Sequence, residues 1–382
     1  MNLQHRRRPP PVYFDNAATS FPKPPAVWAA MHAALREAGG NPGRGGHPLA
    51  KRAGETVYHA RETAAALFRA MPEHIVFTQN CTHALNLAIH GALRQGDHVI
   101  LTDLEHNAAA RPVFAMAQDG VIRYSVAHIF PEADGTLREL RAHLRREIRA
   151  VICTAVSNVT GQILPRREIA AFCRANGLIL ITDGAQGCGI LPVTLDDGMQ
   201  LLCTAGHKGL YGPMGTGILI SDGTVPLRPL IQGGTGSLSA SLSMPNFLPD
   251  MLEPGTVNVP GIAGLDAGMQ FVMQRGTADI LRHEQALCGI LLDGLRGLPE
   301  IRVLREDRAD YAPVISFVRR DEAPEQTAER LGRLGFCVRA GLHCAPLAHQ
   351  SLGTAPSGTV RVSPSVMNTP AEAEAFLRAV SA

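Results

Sequence analysis

A chain of 382 residues with 45% hydrophobic and 18% charged residues has apolar side chains enough for two packed domains, which excludes disorder throughout. Its 36 basic and 34 acidic residues leave a formal charge of +2, so no global field draws it to nucleic acid or to an anionic membrane. No apolar run approaches the roughly 20 residues that span a bilayer. The eight cysteines, at 81, 153, 173, 188, 203, 288, 337 and 344, include no C-x-x-C pair, and a reduced, cytoplasmic setting fits them better than a disulfide framework.

The chain opens with Arg6-Arg7-Arg8 and Pro9-Pro10-Pro11, a basic run with no apolar segment behind it, which reads as a short flexible arm and not as a signal peptide. A helix is expected over 50–70. From about 73 to 220, short apolar runs alternate with helical patterns, the signature of a mainly parallel sheet covered by helices on both faces. The expected strands are 75–78, 98–102, 150–156, 178–182, 201–204 and 216–220, with helices over 82–94 and 166–176 between them. Asn176-Gly177 suits a left-handed helix end. Cys153 and Cys203 fall within apolar runs and read as buried hydrophobes. Residues 221–260, rich in Gly, Pro and Ser, read as long functional loops, followed by a helix over 262–274. Beyond about 275, helices mix with short strands such as 314–318 and 336–339, suggesting a smaller α+β domain.

The segment Ala205-Gly206-His207-Lys208-Gly209-Leu210-Tyr211-Gly212 places one lysine in a glycine-rich loop directly after an apolar strand. A desolvated ε-amine on a flexible stem keeps a neutral, nucleophilic fraction and can form a Schiff base. Pyridoxal phosphate is the cofactor that uses such a lysine. A lysine among glycines is equally an ordinary solvated turn residue.

In open α/β sheets, ligands bind beyond the carboxyl ends of the strands. Polar groups follow the expected strands: Gln79-Asn80-Cys81-Thr82, opening a helix whose free N–H groups suit a phosphate; Glu105-His106-Asn107; Ser157-Asn158-Val159-Thr160-Gly161; Asp183-Gly184-Ala185-Gln186; and Gly206-His207-Lys208. Each has a plain structural reading: Asp183 as a helix cap, Asn158 as a turn residue, His106 as a satisfied loop histidine. Gathered at one sheet edge, they match the needs of pyridoxal phosphate. Asp183 can keep the pyridine nitrogen protonated and His106 can cover a ring face. Asn158 and Gln186 can bind the phenolic oxygen, and Thr82 with His207 can hold the phosphate.

With these motifs in place, the chain resembles the class V aminotransferases, and within them the cysteine desulfurase and selenocysteine lyase family. The resemblance runs from Tyr13-Phe14-Asp15-Asn16-Ala17-Ala18-Thr19 to Val360-Arg361-Val362-Ser363. It implies an α/β, fold-type I transferase: an arm over 1–23 packing with the small domain, a large cofactor-binding domain over 24–271, and a small α+β domain over 272–382. It also implies Lys208 as the Schiff-base lysine, Asp183 as the pyridine partner, His106 as the stacking residue, and Asn158 with Gln186 on the phenolic oxygen. Thr82, Cys81 and His207 would surround the phosphate, and Thr256 would reach it from a second subunit, hence a homodimer.

Arg339-Ala340-Gly341-Leu342-His343-Cys344-Ala345-Pro346 matches the family's catalytic cysteine motif. Arg361 matches the arginine that pairs bidentately with the substrate α-carboxylate, with Asn158, His343 and Arg339 beside the substrate. The short spacing from Cys344 to Arg361 resembles the group II desulfurases, whose cysteine loop is compact. The implied reaction takes sulfur from L-cysteine, leaves a persulfide on Cys344, releases L-alanine and passes the sulfur to a possible protein acceptor. Cys344 lies beside His343 and near Arg339, expected here as cationic neighbours that stabilise a thiolate.

This chain departs from the family pattern at three positions. Ala205 replaces a hydroxyl residue that would reach the phosphate, and Thr204, one step away, is not expected to replace it; Cys81 stands where threonine is common, and Cys188 where a small apolar residue is usual. The alternatives are a selenocysteine lyase, or an aminotransferase, epimerase or kynureninase-like lyase of the same group. A Cys/His metal-binding or sulfur-carrier protein is a further alternative, against which the lack of paired ligand spacing speaks.

Overall fold

Strands whose alternate side chains enter two different apolar layers build the main body of the chain. The computed structural model describes residues 11–43, 45–305 and 309–382; the Arg6-Arg7-Arg8 run lies outside them. The first part contains β1 (Val12–Tyr13), α1 (Pro25–Glu37), α2 (Pro48–Phe68), β2 (Ile75–Thr78), α3 (Cys81–Ala92), β3 (His98–Thr102), α4 (Asn107–Gln118), β4 (Arg123–Ala127) and α5 (Ala133–His143). There follow β5 (Ile148–Thr154), α6 (Arg166–Ala175), β6 (Ile179–Asp183), β7 (Leu201–Ala205), β8 (Gly217–Ser221) and α7 (Val259–Arg275). The last part contains α8 (Thr277–Arg296), β9 (Ile301–Val303), β10 (Ile315–Arg319), α9 (Pro324–Arg333), β11 (Phe336–Cys337), β12 (Arg339–Gly341), α10 (Pro346–Ser351), β13 (Thr359–Val362) and α11 (Pro370–Ser381).

The main sheet has seven strands in the order β2-β8-β7-β6-β5-β3-β4. All neighbours pair in parallel except β8, which runs antiparallel to both β2 and β7. Along each strand, side chains alternate between the faces. Ile100, Val151, Leu180 and Leu202 pack with α2, α6 and α7, whereas Val99, Leu101, Ile152, Ile181 and Cys203 pack with α3 and α4. A sheet covered in this way reads as continuous apolar runs, which is why the sequence reveals its central strands. Cys153 and Cys203 are fully buried, as expected.

The expected list of strands lacks β4. It lies at the edge of the sheet, and only Ala127 of its residues is buried, so Arg123 and Ser125 give it no apolar run. Smaller differences follow from end chemistry. The expected 150–156 strand ends at Thr154, and helix α3 starts at Cys81 because the Asn80 side chain accepts from the His83 N–H and caps it. Helix α6 ends as expected: Gly177 has φ +64° and the Leu178 N–H bonds back to the Cys173 carbonyl at 2.9 Å. Residues 222–258 contain no helix or strand.

The C-terminal strands form a separate sheet, β12-β13-β10-β9, whose core includes Phe317, Val360, Val362 and Phe376. Phe14 joins that core, edge-on to Phe376 with ring centroids 5.5 Å apart, and β1 pairs in parallel with β11. The first strand of the chain therefore packs with its last elements. The expected division after residue 271 falls inside α7, which runs unbroken to Arg275.

Two glycines fix the approach of the loop after β6 to the loop after β7. Gly189 has φ +87°, and a Cβ there would stand 2.1 Å from the Gly209 carbonyl oxygen. Gly189→Ala should therefore push Lys208's neighbour outward and cost about 1–3 kcal/mol, read as a lower urea midpoint by circular dichroism.

Candidate active site

The order of the sheet reverses between β3 and β5: from β3 the chain moves outward to β4, then returns beside β3 and moves the other way through β6 and β7. The crevice beyond such a switch point is where α/β sheets bind ligands. Here it is a cavity of about 200 Å³ lined by Asn80, Cys81, Thr82, His106, Ala108, Thr154, Asn158, Asp183, Ala185, Gln186, Ala205, His207 and Lys208. Four of the parallel strands contribute at their carboxyl ends: β3 leads to His106, β5 to Asn158, β6 ends on Asp183 and β7 leads to Lys208.

The electrostatics of the cavity follow from the burial of its lining side chains. Burial lowers the Lys208 ammonium below the usual lysine range; Asp183 and Cys81 oppose this, and the positive Arg361 and Arg339 reinforce it. Asp183, 3% exposed, accepts the Ala185 N–H at 2.9 Å and the Cys81 thiol at 3.3 Å, both on Oδ1. Burial, and then the Asp183 charge, push the Cys81 thiol well up, so it stays protonated and donates. His106 caps α4, its Nδ1 accepting the Ala108 N–H at 3.0 Å, which leaves the ring proton on Nε2. Burial pushes His106 and His207 down to about 4, so both imidazoles are neutral at physiological pH.

Asn158 joins this cavity to the small sheet. Its Nδ2 donates to the His343 carbonyl at 2.7 Å, and its own carbonyl accepts from Arg361 Nη1 at 3.0 Å. Beside it, Cys344 is exposed, and its carbonyl accepts the Asn107 N–H at 2.7 Å, at the first turn of α4. Both His343 and Cys344 adopt left-handed backbone, with φ +46° and +56°, which turns the chain sharply at the cysteine. A family model, Aminotransferase class-V, matches residues 12–376.

The chain belongs to the class-V aminotransferases, in the cysteine desulfurase family.

Among curated family relatives, a probable cysteine desulfurase of Methanothermobacter thermautotrophicus is 31% identical, covering 94% of this chain and 92% of that protein. One of Mycolicibacterium paratuberculosis is 32% identical over 97% of this chain, which spans 55% of that longer protein. Likewise it spans 62% of the 31% identical probable cysteine desulfurase 1 of Mycobacterium leprae, matching it over 97% of its own length. Among solved structures, the apo cysteine desulfurase of Thermococcus onnurineus superposes with a TM-score of 0.88 at 28% identity, covering 96% and 93% of the two chains. Escherichia coli CsdA gives 0.86 at 26%, covering 97% and 94%.

Family members depend on pyridoxal phosphate, and the residues present here fit it. Asn158 Oδ1 and His207 Nδ1 are buried without a partner, and the α3 N-terminus opens on the same cavity. Lys208, Asp183, His106, Asn158, Gln186, Cys81, Thr82 and His207 all line that cavity; Arg361 and His343 adjoin it through Asn158 and Cys344 through α4, while Arg339 is tied to Arg361 through Asp15. Thr256 stands apart. It accepts from Asn41 Nδ2 at 3.3 Å and lines other cavities of the chain. Gln186 donates to the Ala17 carbonyl at 2.8 Å. Thr204 Oγ1 turns to the Gly184 carbonyl and does not line the cavity, while Ala205 does.

One expectation is corrected. His343 is not a cationic neighbour of Cys344: burial, reinforced by Arg361, pushes its imidazole down to about 2, and Nε2 is engaged by Thr359. Of the two expected cations only Arg339 remains, its Nε bonded to Asp15 Oδ2 at 3.1 Å.

Sequence reasoning also passed over the arm's work at the site. The His207 carbonyl accepts from the Ser20 N–H at 3.0 Å, Thr19 Oγ1 at 3.0 Å and Lys23 Nζ at 2.8 Å, while Ser20 Oγ donates to the Lys208 carbonyl at 2.9 Å. The polar pair Thr19-Ser20, at the end of the family motif and just beyond it, is the only signal of this clamp.

Glu105, fully buried next to His106, was named among the polar groups but given no part of its own. Thr102 Oγ1 and the Thr154 N–H donate to its Oε1, Oε2 has no partner, and burial pushes it up to about 8. A carboxyl raised in the fold binds a proton there that the unfolded chain has lost above about 4.5. Its contribution is therefore complete below 4.5 and is lost as pH rises to about 8. Glu105→Gln, which mimics the neutral acid, should match the parent's melting temperature near the lower pH and exceed it increasingly towards pH 8, as followed by differential scanning calorimetry.

Proposed function

We propose that this chain is a pyridoxal-phosphate-dependent cysteine desulfurase that takes sulfur from L-cysteine, releases L-alanine and carries the sulfur as a persulfide on Cys344. The observation that carries this reading is the position of Asn158. Its unpartnered Oδ1 belongs to the cavity of Lys208 and Asp183, its Nδ2 holds the peptide before Cys344, and its carbonyl holds Arg361. Anchor, nucleophile and carboxylate partner thus meet at one residue.

Bound pyridoxal phosphate supplies an aldehyde carbon that takes up an amine and a cationic ring that accepts the electron pair of a broken Cα–H bond. The protein's own residues do the rest. Lys208, with its amine kept partly neutral by burial, would hold the cofactor and, once displaced by substrate, accept the α-proton at Nζ. Asp183 would hold a proton at the ring nitrogen, and neutral His106 would cover a ring face without adding charge. Asn158 and Gln186 would bind the phenolic oxygen. Thr82, Cys81, His207 and the α3 N-terminus would receive the phosphate, helped by Thr256 of a second copy in a homodimer. Arg361 would take the substrate α-carboxylate, with His343 and Arg339 nearby.

Cys344, exposed and set on a sharp turn, would attack the substrate sulfur as a thiolate: the new S–S bond forms as the substrate Cβ–S bond breaks. An exposed persulfide is open to a protein acceptor. The eight cysteines are all free, which suits a reduced, cytoplasmic setting, and among the described residues no helix is long and apolar enough to cross a membrane. The arm before residue 24, the body to 271 and the portion from 272 would act as clamp, cofactor domain and cysteine-bearing domain.

Lys208→Ala should leave no cofactor attached after borohydride reduction, as measured by mass spectrometry. Cys344→Ser should keep the cofactor's visible absorbance and lose sulfide release from L-cysteine by about 100-fold or more, in line with removal of a nucleophile. Full sulfide release by that variant would exclude the persulfide route. Assaying L-selenocysteine and L-cysteine sulfinate beside L-cysteine, with alanine, selenide and sulfite quantified, identifies the preferred substrate.

A further inference from the structure

Strands β12 and β13 place Arg339 and Arg361 directly opposite one another in an antiparallel pair. Like charges in that relation repel, and Arg361, only 2% exposed, has little water to screen it. Asp15 resolves the conflict. Its Oδ1 accepts from Arg361 Nη2 at 3.0 Å and its Oδ2 from Arg339 Nε at 3.1 Å. The backbone dictates that placement: Asp15 bridges in parallel to Ser363, Ser363 N donates to the Phe14 carbonyl at 2.7 Å, and Asn16 N donates to the Ser363 carbonyl at 3.3 Å. The arm thus lies along the continuation of the strand that carries Arg361.

The Arg361 guanidinium is held at Nη2 by Asp15 and at Nη1 by the Asn158 carbonyl. Its Nε–H is buried and has no partner. A buried donor left in that state is costly unless a ligand takes it. Nε–H is thus a free, charge-assisted donor for a carboxylate oxygen.

We propose that Asp15 is a positioning residue for carboxylate recognition: it neutralises one of two facing arginines and holds Arg361 so that the Nε edge is left for the substrate's α-carboxylate. Two arginines and one aspartate leave a single positive charge, which one carboxylate balances. This rests on the reading of Arg361 as the carboxylate partner given above.

The test uses the holoenzyme and two substitutions, Asp15→Asn and Asp15→Glu. Binding of L-alanine, which has no sulfur to lose, is followed by the change in the cofactor's visible absorbance, alongside KM and kcat for L-cysteine and the melting temperature. For Asp15→Asn, half-saturation by alanine and KM should rise about tenfold or more, the scale of one charge-assisted hydrogen bond, with kcat within about threefold and the starting absorbance unchanged. Asp15→Glu keeps the anion but displaces it by a methylene, and its half-saturation should lie between wild type and Asp15→Asn, at least about threefold above wild type. Should Asp15→Asn not fold, Asp15→Glu alone decides by the same rise.

Alanine binding within about twofold of wild type in every folded variant, or a fall in kcat at constant KM, overturns the proposal. If the wild-type enzyme does not turn over L-cysteine, the desulfurase reading falls, while the alanine titration still judges Asp15.

Discussion

A sheet buried on both faces has one place left for polar chemistry, the ends where its strands emerge from the apolar layers. In this chain the carboxyl ends of β3, β5, β6 and β7 meet at the point where strand order reverses, and His106, Asn158, Asp183 and Lys208 converge there because the backbone gives them nowhere else to go. The layers that bury the sheet also bury the side chains at its ends. A lysine in water would be fully protonated; here the same burial that stabilises the fold brings its amine towards the neutral form.

The surrounding groups keep charge out of that space. His106, His207 and His343 are all neutral through burial, Cys81 remains a thiol, and Glu105 is held as the acid at neutral pH. The charges left around it include Asp183, Lys208, Lys23 on the His207 carbonyl, Arg111 near His106 and the Asp15–Arg361–Arg339 cluster. In a low-dielectric pocket each remaining charge acts over a longer range than it would in water. Asp183 favours the charged form of Lys208, and Arg361 and Arg339 disfavour it.

Most of the large sheet was legible because buried strands announce themselves as apolar runs, and the polar residues that follow them were legible by position. β4 was not, because an edge strand with Arg123 and Ser125 on it has no such run. His343 was misread as a cation because sequence shows the residue type and not the burial that removes its proton. Glu105 was visible beside His106, but its protonated state depends on Thr102, Thr154 and complete enclosure, none of which a linear pattern reports. The arm's contribution was hidden for a different reason. Asp15 stood in a recognised motif, yet its partners lie at the far end of the chain.

That separation has a consequence for biosynthesis. Asp15 and Arg361 are 346 positions apart, and Phe14 packs with Phe376. Synthesised from the N-terminus, the chain presents its first strand long before β11 and β13 exist to receive it. The lysine end of the crevice has all its strands once β8 has emerged, but the arginine end cannot close until β13 has been made. Contacts of such sequence separation are slow to form. The nascent protein therefore passes through a stage in which the cofactor's anchor is assembled and the substrate's is not.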